Sequence, residues 1–297
     1  MTAESVGEVP GGLRAIDRQL LGLQPDPVAP GVLWFDLVPH LCRTDGRFYG
    51  GAALAVALAA GEAVTGRPAL WSSTQLVATA TQGERVRVET LVVASGRSVD
   101  QIQVRGSVGD RLLFTAVGST ATPRSDGLSG TGPVMPRVPE PEACADWRGP
   151  GNVDWGLVPD IGHHRVVEYR AAPQHAAAPD RPGHLALWTR LRGDMAAARP
   201  GLSPAVLGFM ADLVPLAICR ACGVDGAGTS LDNSLRVGRP GDSDWVLLEL
   251  DGHSAVGGYG HGHVHCWSQD GRLLATGTQS ARLATAAEML ARRARAR

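Results

Sequence analysis

The sequence repeats itself at long range. The segment RLLFTAVGS, which begins at Arg111, returns as RLLATGTQS at Arg272, 161 residues later, and the earlier segments align at an offset of about 160. In each copy an apolar helical segment precedes segments that alternate between apolar and polar residues with period two, which is typical of antiparallel strands. We therefore predict an α+β protein of two similar units, each a curved antiparallel sheet wrapped around a central helix.

Changes in composition place the boundaries of the two units. Residues 1–122 form the predicted N-terminal unit, residues 123–163 a linker rich in proline and glycine, and residues 164–297 the C-terminal unit. In the first unit we expect a short helix at 13–23, a strand at 32–38, a helix of small residues at about 50–63, and three or four strands within 71–121. In the second unit, the strand-like segments VVEYR and LALWTRLR precede the central helix, and SLDNSLRV, WVLLEL, GYGHGHVHCW and RLLATGTQS follow it.

The central helix of the second unit, predicted at 203–222, contains a single acidic residue, Asp212. Ser203 can cap the first amides of this helix, and Pro215 removes one amide donor, so we expect a bend beside Asp212. A buried carboxylate without partners is costly, so Asp212 needs hydrogen-bond donors or a wet cavity. Two interpretations are open: a core aspartate tied to an arginine or to the backbone, and a functional carboxylate.

The composition excludes several classes of function. With 297 residues, 44% of them hydrophobic, and a net charge of −1, the chain can bury a large core and has no charge excess that would favour nucleic acid. All 28 basic residues are arginine, which excludes a Schiff-base or pyridoxal-phosphate lysine and a Walker-type phosphate loop. No run of 18 apolar residues and no signal-peptide pattern is found, so we expect a soluble cytoplasmic protein with no membrane partner. Five cysteines, an odd number, fit reduced thiols.

Two groups of residues have side chains that can bind metals. His261, His263 and His265 alternate along one strand face, but we expect no carboxylate or cysteine beside them on that face. We interpret them as a solvated or edge-packed strand face. Cys219 and Cys222 have CxxC spacing without a second pair, which favours buried thiols over a zinc or redox site. We therefore predict no metal and no cofactor.

Several short motifs occur in an order that matches a known family. They are FYGG before the first central helix, LWTR before the second, FMADLVP within it, and then SLDNSLRV, WVLLEL and DGRLLATGTQS. From about Gln19 to Leu283 the chain resembles the TesB-like acyl-CoA thioesterases, whose fold is two hotdog domains fused in one chain. The resemblance implies an enzyme that hydrolyses acyl-CoA or a related acyl thioester without a cofactor, and it is compatible with a homo-oligomer.

The resemblance also implies the catalytic residues. In that family an Asp on the second central helix, a Ser or Thr at the start of the next strand, and a Gln on the last strand position the hydrolytic water. By motif these are Asp212 in MADL, Ser230 in TSLDNS and Gln279 in ATGTQS. The residue types suit the reaction, because a carboxylate, a hydroxyl and an amide can together hold and activate one water.

The first unit lacks this set of residues, so we predict one active site per chain. Its equivalent positions carry Ala53, Trp71 and Gly118. We expect the FYGG motif to contribute differently: backbone amides near Gly50 and Gly51, at the positive end of a helix, would bind the thioester oxygen or a nearby anion. The alternative is that both glycines only permit close packing.

The strand after the second central helix departs from the family pattern. Where the family has D-H-S-x-W-F-H, this chain has Asn233, Arg236, Val237 and Gly238 at the histidine and aromatic positions, so we expect an acyl pocket of a different shape. Two other functions stay open: dehydration or cyclisation of a thioester in a biosynthetic pathway, and non-catalytic binding of acyl-CoA. Hydratases of this fold resemble one another through an Asp and His pair on the helix segment, and the helix here has no histidine.

Overall fold

The computed structural model describes residues 12–147, 162–172, 181–197, 202–239 and 241–295. The first half of the chain contains these elements: α1 (Ala15–Leu21), β1 (Gln24–Pro25), β2 (Val32–Asp36), α2 (Gly50–Thr65), β3 (Ala69–Leu76), β4 (Arg85–Ser95), β5 (Val99–Val108) and β6 (Arg111–Ala121). The second half contains these: β7 (Ala145–Asp146), β8 (Val167–Ala171), β9 (His184–Leu191), α3 (Gly193–Ala197), α4 (Pro204–Met210), α5 (Val214–Ala221), β10 (Gly226–Val237), β11 (Val246–Val256), β12 (Tyr259–Ser268), β13 (Leu273–Thr285) and α6 (Ala286–Arg295).

The strands form one antiparallel sheet in which the two halves lie side by side. The strand order is β1-β2-β4-β5-β6-β3-β10-β13-β12-β11-β9-β8-β7. The halves meet where β3 pairs with β10, in a register that runs from Gln75 opposite Asp232 to Trp71 opposite Arg236. Outward from this seam each half repeats the same order, since β6, β5 and β4 on one side correspond to β13, β12 and β11 on the other. The predicted repeat of sheet and helix is therefore confirmed.

The sheet encloses α2, α4 and α5. The small side chains of α2 allow this burial, and its residues from Gly50 to Glu62 are all buried. α4 packs directly against α2, and a Cβ atom added at Gly208 would lie 3.0 Å from Leu58 Cδ1 and 3.2 Å from Leu54 Cγ. This close antiparallel packing places the end of α4 beside the start of α2.

The helix predicted at 203–222 is in fact two helices, so the expected bend is a complete break. Ser203 caps α4 as predicted, because its Oγ accepts a hydrogen bond from the Val206 N–H at 3.0 Å. Pro215 occupies the first turn of α5, where its missing N–H and fixed φ suit a helix start rather than an interior. Residues 211–213 thus lie between two helices, with Asp212 at their centre.

The segment that contains both helices is long and apolar enough to cross a membrane, by length and composition alone. Residues Pro204–Ala221 have a mean hydropathy of 1.5 over 18 residues, and 83% of this window is buried inside the protein. A core helix of a soluble protein has the same properties.

Part of the predicted linker packs on the second half. β7 pairs with β8, and the Trp188 Nε1–H donates to the Pro139 carbonyl at 2.9 Å. Residues 1–11 of the predicted first unit and residues 148–161 of the predicted linker lie outside the described residues. The unit boundaries at 122 and 163 remain predictions.

Candidate active site

Asp212 lies in the break between α4 and α5 and faces the start of α2. The residue is only 7% exposed. Its backbone carbonyl accepts a hydrogen bond from the Tyr49 hydroxyl at 3.4 Å, and Tyr49 immediately precedes α2. The break in one half of the chain therefore meets the helix start of the other half.

Donors from three elements surround the Asp212 carboxylate. Oδ2 accepts a hydrogen bond from the Gly51 N–H at 2.6 Å. Oδ1 accepts one from the Ser230 hydroxyl at 2.9 Å and a short one from the Gln279 side-chain amide. The orientation of that amide is set by its oxygen, which accepts from the Val214 N–H at 3.2 Å. The structure thus brings the three predicted catalytic residues into one hydrogen-bonded group.

A bulge in β10 aims Ser230 into this group. Ser230 pairs with Ala281, whereas Asn233 pairs with Gln279, and the register shifts between Ser230 and Asp232. Residues three positions apart on a regular strand point to opposite faces, so without the shift Ser230 and Asn233 could not both face inward. Sequence reasoning missed the bulge, because it depends on the pairing with β13.

The two glycines of FYGG have distinct roles. The Gly51 N–H donates to a resident anion, the Asp212 carboxylate, and so is not available to the thioester oxygen. Close packing also requires both glycines. A Cβ atom at Gly50 would lie 2.7 Å from Asp212 Oδ2 and 3.0 Å from Ser230 Oγ, and one at Gly51 would lie 2.6 Å from the Phe209 carbonyl oxygen. The Gly50 N–H is the first of α2, a position with no acceptor inside the helix, so it remains the predicted donor to the thioester oxygen.

Burial controls the charge of Asp212. It raises the pKa of Asp212 to about 6, while hydrogen bonds from Ser230, Gly51 and Gln279 and the charge of Arg43 oppose the rise. Among the described residues no arginine forms an ion pair with this carboxylate. The backbone tie of the core interpretation is present, through the Gly51 N–H, and the Asp212→Asn variant distinguishes that interpretation from a functional carboxylate. A carboxylate with a pKa near 6 is mostly ionised at neutral pH and is a stronger base than an exposed aspartate.

A buried aromatic group adjoins the site and was not expected. The Tyr49 ring stacks on the His163 ring with centroids 4.4 Å apart, and its edge packs on Phe209 at 5.4 Å. His163 is 7% exposed, and neither ring nitrogen has a hydrogen-bond partner among the described residues. Burial lowers the pKa of His163 well below its usual value, so the ring is neutral. A histidine near the end of a linker is ordinarily a surface residue, so the sequence carries no signal for this placement.

Comparisons with known proteins test the resemblance. A family model described as the acyl-CoA thioesterase C-terminal domain matches residues 141–283. A provisionally named thioesterase from Novosphingobium aromaticivorans DSM 12444, known from a crystal structure, is 31% identical over 88% of this chain and 98% of that one, with a TM-score of 0.75. The chain belongs to the TesB-like acyl-CoA thioesterase family.

Two more distant structures share the fold of this TesB-like protein. The tesB protein of Mycobacterium avium subsp. paratuberculosis is 20% identical over 90% of this chain and 98% of that one, with a TM-score of 0.70. A hot dog protein from Alicyclobacillus acidocaldarius is 19% identical over 91% and 98%, with a TM-score of 0.74. The double hotdog fold is thereby confirmed, and the family is one of thioester hydrolases. A search of curated proteins gave no match.

The expectation that no carboxylate lies beside the histidines of β12 is wrong. In the pairing of β11 with β12, Asp251 faces His263 and Glu249 faces His265. The interatomic distances are 3.6 Å from His263 Nε2 to Asp251 Oδ2 and 3.4 Å from His265 Nδ1 to Glu249 Oε2. The carboxylates come from the neighbouring strand, and their position depends on a cross-strand register that the histidine spacing does not give.

The cysteines are free thiols among the described residues. Cys219 is buried as expected, and burial raises its pKa to about 11. Cys222 is exposed, so the expectation of buried thiols is wrong for this residue, which caps the end of α5.

Proposed function

We propose that this TesB-like protein hydrolyses acyl-CoA thioesters to the free acid and CoA, with a water molecule activated by Asp212. One observation carries the proposal: Ser230, Gln279 and Gly51, from three separate elements, converge on a buried carboxylate whose pKa is about 6. Such a group has the charge and the basicity of a general base at neutral pH.

The reaction proceeds by addition and elimination. Asp212 takes a proton from water as the water oxygen bonds to the thioester carbon, and the carbonyl electron pair moves to the oxygen. The Gly50 N–H and the positive end of α2 stabilise the resulting oxyanion. The tetrahedral intermediate then breaks its C–S bond, and the CoA thiolate leaves with the proton from Asp212. One water is consumed, and the carboxylate is ionised again.

The other members of the group position the base. Ser230 and Gln279 both donate to Oδ1, and Gly51 donates to Oδ2, so the carboxylate plane is fixed between the two halves of the chain. Because the Val214 N–H holds the Gln279 amide, rotation of that amide would cost a second hydrogen bond. The base is therefore preorganised before substrate binds.

The same proposal includes a soluble protein in the cytoplasm that acts on acyl-CoA or a related acyl thioester, alone or as a homo-oligomer. Its support is the family membership and the burial of 83% of the apolar window Pro204–Ala221 inside the protein.

A thiol-release assay with acyl-CoAs of increasing chain length tests the function. We expect release of free CoA by the purified full chain and a fall of about 10²- to 10⁴-fold with Asp212→Asn. Asp126→Asn is the matched control, because Asp126 is exposed and bonded only to Arg124 among the described residues. Tight binding of acyl-CoA without turnover would identify a binding module instead, and consumption of the acyl group without thiol release would identify dehydration or cyclisation.

A further inference from the structure

A second group of titratable side chains lies across three adjacent strands, β9, β11 and β12. Asp251 on β11 is opposite His184 on β9 and opposite His263 on β12. Glu249, two residues before Asp251 on the same strand face, is opposite His265. These side chains therefore project from one face of the sheet.

This face is not the one that carries Asp212. Gln279, which contacts Asp212, is paired with Gly262. Directly paired residues share a face and consecutive residues alternate, so His263 projects from the opposite side of the sheet. The group is thus separate from the catalytic carboxylate.

The potential ligand atoms are close together. His184 Nε2 lies 3.3 Å from Glu249 Oε1, and the ligand atoms of His184, Glu249 and Asp251 are all within 4.8 Å of one another. His263 Nε2 lies 3.6 Å from Asp251 Oδ2, on the opposite side of β11 from His184. In a tetrahedral zinc site with bonds of about 2.0–2.2 Å, ligand atoms are about 3.4 Å apart. Contraction on the order of 1 Å would therefore bring the ligand atoms of His184, Glu249 and Asp251 to this spacing.

Neighbouring groups orient these side chains. His263 Nδ1 is 2.6 Å from His253 Nε2, which leaves Nε2 of His263 turned toward Asp251. Glu249 Oε2 accepts a hydrogen bond from the Trp267 Nε1–H at 3.0 Å. Metal ligands in proteins are commonly held by outer partners in this way.

Arg181 supplies positive charge to the two buried carboxylates from an exposed position. Glu249 is 6% exposed and Asp251 is 8% exposed. Arg181 forms a short ion pair with Asp251 and approaches Glu249 at 3.9 Å, yet its own side chain is 51% exposed and can move into solvent. A cleft of ≈ 470 Å³ bounded by Arg181, Asp251 and His263 gives a small ion access to the Asp251 carboxylate.

We propose that His184, Glu249, Asp251 and His263 bind one divalent transition-metal ion of the zinc class, which displaces Arg181. Two imidazoles and two carboxylates without a thiolate are a ligand set that suits zinc. Soft metals prefer thiolates, and magnesium and calcium prefer sites made only of oxygen ligands. The ion ties β9, β11 and β12 together and stabilises this end of the sheet. It takes no part in thioester hydrolysis, so the inference stands apart from the proposed function.

Calorimetric titration with zinc tests this site on the full chain, prepared without a histidine tag and freed of metal by a chelator. We expect one ion per chain, with affinity reduced at least ~100-fold in His263→Ala and in Asp251→Asn, since even outer partners of a metal site contribute 10–100-fold. His261→Ala is the matched control on the same strand and should bind as the wild type does. Arg181→Gln should bind zinc more tightly, because it removes the competing cation.

The site would be overturned by a wild-type chain that binds no zinc, by binding unchanged in both ligand variants, or by binding lost in Cys222→Ser. If a variant does not fold, the site can still be tested in the wild-type chain by replacing zinc with cobalt. A thiolate-to-cobalt charge-transfer band would assign the ion to cysteine and contradict the proposal. We also expect chelator to lower the melting temperature reversibly while thioester hydrolysis persists. Hydrolysis that requires zinc would contradict the structural role of the ion.

Discussion

At the scale of single residues, burial and hydrogen bonding oppose each other at Asp212. Burial dominates and raises the pKa from 3.8 to about 6. Since one pKa unit corresponds to 1.36 kcal/mol, the ionised carboxylate lowers the free energy of unfolding by on the order of 3 kcal/mol. A folded-state pKa above the unfolded value means that stability falls as pH rises between the two values, and the full cost applies above about pH 6. Burial of Asp212 therefore gives the site a stronger base and lowers the free energy of unfolding.

The pH dependence of turnover follows from this pKa. We expect kcat/KM to rise through pH of about 6 and to level off above it, because only the ionised Asp212 can accept a proton. Asp212→Asn should remove this rise and leave a folded protein, in which relief from the buried charge offsets the hydrogen bond lost where the new NH₂ group faces a donor. A variant with a lower melting temperature but full activity per folded molecule would make Asp212 a structural residue.

The partners of Asp212 should contribute less than the carboxylate itself. We expect Ser230→Ala and Gln279→Ala each to reduce kcat by a smaller factor than Asp212→Asn. The double variant should lose less than the sum of the two single changes in activation free energy, because both residues hold the same Oδ1 atom. Ser234→Ala is the matched control on β10, since Ser234 bonds to Thr278 instead. Additive losses would indicate that the two side chains act separately.

At the scale of elements, sequence reasoning worked where the cause is local. Ser203 as a cap and Pro215 as a helix breaker act through their own backbone neighbours, so the interruption beside Asp212 could be anticipated, although not its extent. The motif order likewise predicted Asp212, Ser230 and Gln279, which the structure places in one hydrogen-bonded group. Features that depend on strand register could not be derived, such as the inward turn of Ser230 at its bulge and the pairing of Asp251 with His263.

The first two residues of α2 have no room for a side chain. Gly50→Ala would place its Cβ 2.7 Å from Asp212 Oδ2, so we expect it to displace the carboxylate and to reduce turnover by at least about 100-fold. Gly61→Ala is a matched control in the same buried helix, because the one close approach of its Cβ would be to the end of a side chain, Ile102 Cδ1 at 2.4 Å, and not to the site. Assays of both variants, with circular dichroism to confirm folding, would test the prediction. Similar losses in both would point to general destabilisation of α2.

At the scale of the whole molecule, the pairing of β3 with β10 brings together site residues from both halves of the chain. Each half of the chain supplies a part that the other lacks: Asp212, Ser230 and Gln279 come from the second half and Gly51 from the first. The seam also covers two strand edges that would otherwise be open to solvent. We therefore expect the halves to depend on each other for both stability and catalysis.

Separate expression of the halves tests this dependence. Residues 1–125 or 165–297 alone should be poorly soluble, because each would expose β3 or β10 as an edge and the apolar surface between α2 and α4. Sedimentation and solubility measurements on the fragments, with the full chain as the control, would show the effect. Two soluble, monomeric halves would contradict the dependence on the seam.

The hydrogen bond between Gly51 and Asp212 links the two halves of the chain, so the catalytic rate should depend on how the halves are aligned. Its length is 2.6 Å, and such a bond is lost once donor and acceptor are more than about 3.5 Å apart. A slip of one half against the other by about 1 Å would thus free Oδ2 and lengthen the hydrogen bonds between β3 and β10, while the strand pairs within each half kept theirs. Far-ultraviolet circular dichroism would not register so small a slip, but turnover would. We therefore expect a low concentration of denaturant to abolish turnover before the sheet unfolds.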